Sequence, residues 1–281
     1  MENGFDNKTS DKDTHVYGGV VRSAFDWKKE RDMFNQMADY YDRYRPGYPN
    51  DIIKTIIERA GLIAGSKLLE IGAGSGKATE QFAEYEFEIL CVEPGEDLVT
   101  KGNLKFKDKK IKFIASRFED FSASPGYYDA IISAQAFHWL AQPEGYEKCA
   151  RALKNGGYLA PFWNIDITHD NDFDNELTSI VHKYGAVSCM PESDYIKRME
   201  SISSGIAGSG LFMTPEIIHS KWEKIYTVDD YFGYMLTGNV FIQKSDTEKQ
   251  MCFDELKRLA DKYNGIIKRE YTCELYLTRR K

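Results

Sequence analysis

Three glycines at alternate positions, Gly72, Gly74 and Gly76, follow the apolar run that starts at Leu68 and precede a helix-compatible segment. Such a loop turns backbone N–H groups and a helix N-terminus toward a ligand, and the missing Cβ atoms permit close approach. The spacing is GxGxG, with an acid, Glu70, two positions before the first glycine. A nicotinamide or flavin site would read GxGxxG and a phosphate loop GxxxxGK[ST]. Taken alone the loop is equally a tight strand-to-helix turn. Three further segments add chemistry. Glu93, followed by Pro94, ends the next apolar run, where a carboxylate can accept hydrogen bonds from both hydroxyls of a ribose or cap a helix. Ser116-Arg117-Phe118-Glu119-Asp120 offers an aromatic face and polar edges to a heteroaromatic ring, Phe118 being otherwise a core residue. Ser133-Ala134-Gln135-Ala136-Phe137-His138-Trp139 sets small residues and then large ones where a reacting centre would lie, with His138 either chemical or structural.

These segments are useful only if strands deliver them to one edge. Lys67 to Ile71, Glu88 to Val92, Ile111 to Ala115, Asp129 to Ala134 and Gly157 to Trp163 read as strands. Helices are expected over Lys77 to Tyr85, Asp97 to Leu104 and Pro143 to Leu153. Continuous apolar strands alternating with helices predict a parallel sheet covered on both faces, with ligands at the carboxyl ends of the strands. Before the sheet, residues 1–14 have almost nothing to bury and read as a disordered arm. Trp27 to Tyr44 has helical spacing, and Asn50 or Asp51 can cap a second helix that Gly61 ends. After Asn164 the rhythm breaks. Residues 166–214 read as a helical cap insertion, with Ser201 to Gly210, rich in Gly and Ser, as a flexible loop. A strand over Ile217 to Tyr226, two helices, and a last strand over Tyr271 to Thr278 return to the sheet. The aromatic alternation of that last strand suggests an edge.

Composition removes several function classes. A net charge of −7 with no basic stripe argues against nucleic acid as a partner. Five widely spaced cysteines without a CxxC pair point to neither a disulfide framework nor a metal site, and fit a cytoplasmic protein. No apolar run approaches a membrane span, so no membrane partner is expected.

The series EIGAGSG, VEP, FEDF, YDAIISAQAFHWL and RALKNGGYLAPFWN, preceded by FNQMADYYDRYRPGYP and closed by TCELYLTRR, resembles the class I S-adenosylmethionine-dependent methyltransferases. The likeness is to their small-molecule group (methyltransferase type 11) of trans-aconitate-methyltransferase-like proteins. It is strong over residues 31–165 and weak over the final 65. The resemblance implies an α/β, Rossmann-like sheet of seven strands, mostly parallel, its last strand antiparallel. Residues 31–165 and 215–281 would form the cofactor domain, 1–30 an arm and 166–214 the cap. It implies S-adenosylmethionine as cofactor: Glu70, Gly72, Ala73 and Gly74 toward the methionine and ribose, Glu93 with Pro94 at the ribose hydroxyls, Arg117 and Phe118 beside the adenine, and Ala134 with Gln135 near the sulfonium. The acid usual beside the adenine amino group is displaced here, Arg117-Phe118 standing before Glu119.

Methyl transfer of this kind needs mainly orientation, so no dedicated catalytic residue is required. A hydroxyl or amine acceptor would benefit from a base, for which His138 is the candidate. A carboxylate acceptor would need a cation instead. Arg45 could hold either the cofactor's carboxylate or a substrate acid. Tyr17, Tyr40, Tyr41, Trp139 and Trp163 could wall the transfer chamber. Residues 15–26 could close over it as a lid or be an unstructured leader. The expected activity is methylation of a small molecule, with a cofactor-binding regulator or a protein-substrate methyltransferase as alternatives.

Overall fold

The computed structural model describes residues 14–17, 20–23, 40–140, 142–185, 192–238 and 240–281. Of the arm expected over residues 1–14 all but Thr14, which starts a strand, and of the helix expected over 27–44 the part before residue 40, lie outside the described residues. So does the side chain of Tyr17, whose backbone belongs to the first strand of an antiparallel ribbon, β1 (Thr14–Tyr17) with β2 (Val20–Ser23). Residues 40–44 are helical (α1) and α2 spans Asn50–Arg59. The N-cap of α2 is Pro49, with no side-chain cap. Asp51 accepts a bond from the adjacent Ile52 N–H instead, so neither expected capping residue acts as one.

Alternation then follows the predicted order: β3 (Lys67–Ile71), α3 (Thr79–Phe82), β4 (Glu88–Glu93), α4 (Glu96–Lys105), β5 (Ile111–Ala115), β6 (Tyr128–Ala134), α5 (Glu144–Ala152) and β7 (Leu153–Ile167). The chain continues through α6 (Asp172–Tyr184), α7 (Glu192–Gly208), β8 (Glu216–Tyr226), α8 (Val228–Met235), α9 (Asp246–Lys262) and β9 (Ile267–Arg279). The seven-stranded sheet runs β5-β4-β3-β6-β7-β9-β8, with β9 antiparallel to both of its neighbours. The order reverses between β3 and β6. Adjacent strand ends there carry chain in opposite directions and open a crevice at their carboxyl ends.

Strand parity sorts the core. Leu68, Ile89, Ala130 and Ile132 face Ile52 and Ile56 of α2, Phe82 of α3 and Val99 of α4. Leu69, Ile71, Val92 and Ile131 face Tyr146 and Cys149 of α5 and Ile206 of α7. A third cluster joins α6, α8 and α9 to Tyr226, Ile267 and Tyr271. Burying both faces of a parallel sheet requires the continuous apolar strands seen in the sequence.

Two expectations are corrected. β9 is an interior strand: β8 pairs along its outer side, and Tyr271 through Thr278 are all buried. The edge is β8, whose exposed His219, Lys221 and Glu223 discourage pairing with another chain. The Gly/Ser-rich stretch from Ser201 is the end of α7 rather than a flexible loop. Ile202 and Ile206, four apart, turn one helical face to the core, and Gly205 lets the helix lie against Tyr146, where a Cβ would sit 2.9 Å from the hydroxyl oxygen. The start of α6 is tied to the sheet by the buried Arg269, which donates to Asp166 on β7 and, at 2.6 Å, to Asp174 on α6. No helix among the described residues is long and apolar enough to cross a membrane, and no cluster among them could hold a metal ion.

Candidate functional site

At the carboxyl ends of β3, β4, β5 and β6 lies an open cleft whose cavity volume is about 120 Å³. Its floor is the glycine turn after β3. Gly72 has φ +67° and a Cβ there would stand 2.4 Å from the Cβ of Ala136, so only glycine lets the two strand ends close together. Gly74 also lines the cleft, beneath Tyr41. The loop is held from above by α1: Ser75 Oγ donates to Asp42 Oδ1 at 2.8 Å, and Lys77 Nζ donates to the Asp42 carbonyl at 2.7 Å. That contact sets the Tyr41 ring at the mouth.

Glu93 ends β4 and is 6 % exposed. Its Oε2 accepts the Gly74 N–H at 2.9 Å and its Oε1 the Gly95 N–H at 3.0 Å. Each oxygen therefore keeps capacity for one more donor, and Glu93 lines the cleft. Burial pushes this carboxyl up from the ordinary range and the two backbone donors pull it back. Pro94 and Leu98 continue the wall. From the end of β5 come Arg117, Phe118 and Glu119. The Arg117 guanidinium stands 3.6 Å from Glu119 and 4.0 Å from Asp120, and Lys148 lies over the Phe118 ring while donating to the Glu119 carbonyl at 2.7 Å. From β6 come Ala134, Gln135, Ala136, Trp139 and Leu140. Gln135 has φ +60°, a left-handed conformation that costs about 1–3 kcal/mol in a residue other than glycine and concentrates at functional sites.

Of the residues singled out from sequence, Gly72, Gly74, Glu93, Pro94, Arg117, Phe118, Ala134, Gln135, Tyr41 and Trp139 come together around this cleft. The described ones that do not line it include Tyr40, which is exposed and stacks on Tyr44, and five others. Glu70 is buried beneath the loop, where Thr79 Oγ1 donates to it at 2.6 Å; desolvation pushes its carboxyl up to about 8, helped by the charge of Glu93. Ala73 is buried in the core. Arg45 is set back behind Tyr41, between that ring and Tyr234, and donates to the Thr237 carbonyl at 3.3 Å. Trp163 is 2 % exposed and packs edge-on against Tyr276, so it is not a chamber wall.

His138 is the fifth. Trp163 Nε1 donates to its Nδ1 at 3.1 Å. An indole nitrogen can only donate, so Nδ1 carries the lone pair and the neutral ring keeps its proton on Nε2. A base must accept a proton at a free ring nitrogen, and here the lone pair is already engaged. In this structure His138 makes a packing and hydrogen-bonding contact with Trp163 and does not line the cleft. The sequence reading missed Ile71, Val92, Leu98, Ala136 and Leu140 as lining residues. The signal was available for Ile71 and Val92, the last apolar residues before the glycine turn and before Glu93.

Sheet order, reversal point and cleft define the class I methyltransferase fold. Solved structures agree. A methyltransferase of Anaeromyxobacter dehalogenans superposes with a TM-score of 0.61 at 21 % identity, covering 84 % of this chain and 98 % of that one. Haemonchus contortus phosphoethanolamine N-methyltransferase 2, solved with phosphomonomethylethanolamine and S-adenosylhomocysteine, gives 0.53 at 15 %, covering 89 % and 59 %. Residues 69–160, about a third of the chain, match the methyltransferase domain family. A Saccharomyces cerevisiae protein named as S-adenosylmethionine-dependent methyltransferase is 31 % identical over 158 residues, 54 % of this chain and 53 % of its own. A Dictyostelium discoideum protein named as a methyltransferase is 31 % identical over 171 residues, 59 % and 62 %. The chain thus spans only about half to three fifths of the length of these curated relatives.

Proposed function

We propose that the protein transfers a methyl group from S-adenosylmethionine to an oxygen or nitrogen nucleophile on a small organic molecule. The observation that carries this reading is Glu93: one carboxylate, each oxygen already oriented by a backbone N–H, lining a mostly apolar cleft at the sheet's reversal point. Two adjacent acceptors of that kind suit two adjacent hydroxyls, which is what a ribose presents. The remaining walls fit the rest of the group. Val92, Leu98, Phe118 and Leu140 give the apolar slot a heteroaromatic ring needs, and the Gly72–Gly74 backbone admits a chain alongside. The name of the yeast relative supports the same ligand.

Bound there, S-adenosylmethionine supplies an electrophilic methyl group with a neutral thioether as leaving group. The protein's part is to hold two molecules in line and keep water out, which supplies about 7–11 kcal/mol of the barrier without any acid or base. That agrees with a cleft from which His138 is withdrawn. Trp139 and Tyr41 would border the acceptor side.

Calorimetric titration with S-adenosylhomocysteine and, in parallel, NAD tests the reading. Micromolar binding of the first alone, abolished by Glu93→Ala, is expected. Tighter binding of NAD, or an unaffected Glu93→Ala, would refute it.

A further inference from the structure

The polar groups around the cleft are mostly committed elsewhere: Glu93 to Gly74 and Gly95, Arg117 to the neighbourhood of Glu119 and Asp120. Gln135 differs. Its backbone N–H donates to the Phe162 carbonyl at 2.9 Å and its Nε2 to the Asn164 carbonyl at 2.9 Å, which together hold the left-handed backbone in place. The second bond also fixes which amide atom is which. A peptide carbonyl only accepts, so the atom facing Asn164 must be nitrogen, and Oε1 is left as an acceptor to which no described residue donates. Asn164 is itself immobilised, its Nδ2 donating to the Gly47 carbonyl at 2.8 Å and its Oδ1 accepting Trp222 Nε1 at 3.2 Å. A three-element brace of the amino-terminal loop, β7 and β8 thus sets one side chain just past the end of β6. The residues on either side, Ala134 and Ala136, and Gly72 opposite, are too small to screen it.

We infer that Gln135 determines acceptor specificity: its fixed carboxamide oxygen accepts a hydrogen bond from the incoming nucleophile, so the cleft takes an alcohol or amine that still carries an O–H or N–H. A carboxylate would set lone pairs against Oε1 and is disfavoured. Gln135 orients the nucleophile and does not take its proton, because a neutral amide is far too weak a base; the nucleophile's lone pair forms the new bond to the methyl carbon as the carbon–sulfur bond breaks to leave the neutral thioether, and the methylated product loses its extra proton to bulk solvent on release. The inference rests on the methyl-transfer reading of the cleft.

Sinefungin provides a binding test that needs no turnover. It carries an amine where S-adenosylmethionine carries its S-methyl group, and S-adenosylhomocysteine carries nothing there. Both ligands are titrated calorimetrically into the wild type, Gln135→Met and Gln135→Asn. Met removes the acceptor. Asn suits the left-handed backbone, and so guards against misfolding, but is one methylene too short to touch both Asn164 and a ligand. Both variants are expected to weaken sinefungin about tenfold, the size of one hydrogen bond to a charged group, and S-adenosylhomocysteine less than about threefold. Equal loss of the two ligands, or loss of neither, overturns the inference. Failure of the wild type to bind S-adenosylhomocysteine at all would instead bring down the methyl-transfer reading, and the inference with it.

Discussion

Replacing Glu70 by Gln should shift the protein's stability in the variant's favour as pH rises from 5 to 8. Glu70 lies on β3 beneath the glycine turn, 1 % exposed, with Thr79 Oγ1 at 2.6 Å and Cys91 Sγ at 4.0 Å. Desolvation is the largest influence and favours the neutral acid. The Thr79 hydroxyl opposes it, and the charge of Glu93 reinforces it, leaving the carboxyl at about 8 against 4.5 for an ordinary glutamate. The folded protein therefore holds a proton that the unfolded chain has lost throughout the interval between these values. By linkage, stability falls as pH rises wherever the folded state binds more protons. The slope is about 1.4 kcal/mol per pH unit, so the loss between pH 5 and pH 8 is about 4 kcal/mol, after which it levels off.

Gln is neutral at every pH and its carbonyl can accept the Thr79 hydroxyl, so Glu70→Gln removes this slope. Its extra amide hydrogens replace the proton of the acid and cost about 1–3 kcal/mol if one stays unpaired, a penalty that does not vary with pH. The readout is thus the difference between variant and wild type in urea unfolding free energy at pH 5, 6, 7 and 8, in which all other titrations cancel. That difference should grow by about 4 kcal/mol in favour of the variant across the range. A difference constant to within about 1 kcal/mol would show that Glu70 ionises normally, and the account of a neutral acid supporting the loop would be wrong.

Two further predictions concern the strand ends. Gly72→Ala combines a left-handed backbone with a Cβ contact of 2.4 Å to Ala136, so it should destabilise by about 2–4 kcal/mol and weaken S-adenosylhomocysteine binding. Adding Ala136→Gly should restore the contact part of the loss, and urea unfolding of the double variant tests this: no recovery would mean that the backbone conformation alone is responsible. His138→Ala removes the acceptor of Trp163 Nε1 and should cost about 1–3 kcal/mol, whereas His138→Asn, which keeps an oxygen near the Nδ1 position, should recover most of it. Neither change should alter S-adenosylhomocysteine affinity, because His138 does not line the cleft; a tenfold loss in titration would reinstate it as a site residue.

The sequence carried the edge on which the cleft lies because chemistry at the end of a parallel strand leaves a local signature: an apolar run, then glycine, an acid or small residues. Gly72, Glu93, Phe118 and Ala134 were found that way, and strand order adds only that the four runs are neighbours. Side-chain direction is the step at which motif reading fails. Glu70 shares strand parity with Leu68, and Leu68 faces α2 and α3, so the acid points under the loop even though it stands two residues from it. Trp163 shares parity with Ile165 in the opposite core, which makes an aromatic in a motif a packing residue. Parity could have been counted in advance. Pairing across the chain could not: Asp42 with Ser75, and Gln135 with Asn164 and through it Gly47 and Trp222, depend on elements that meet only in the folded protein. These long-range bonds are also what convert a generic ligand cleft into one with a fixed mouth and an oriented amide. It follows that the part of the site conferring selectivity is the part least visible in local sequence, and that motifs fix the cofactor far better than the acceptor.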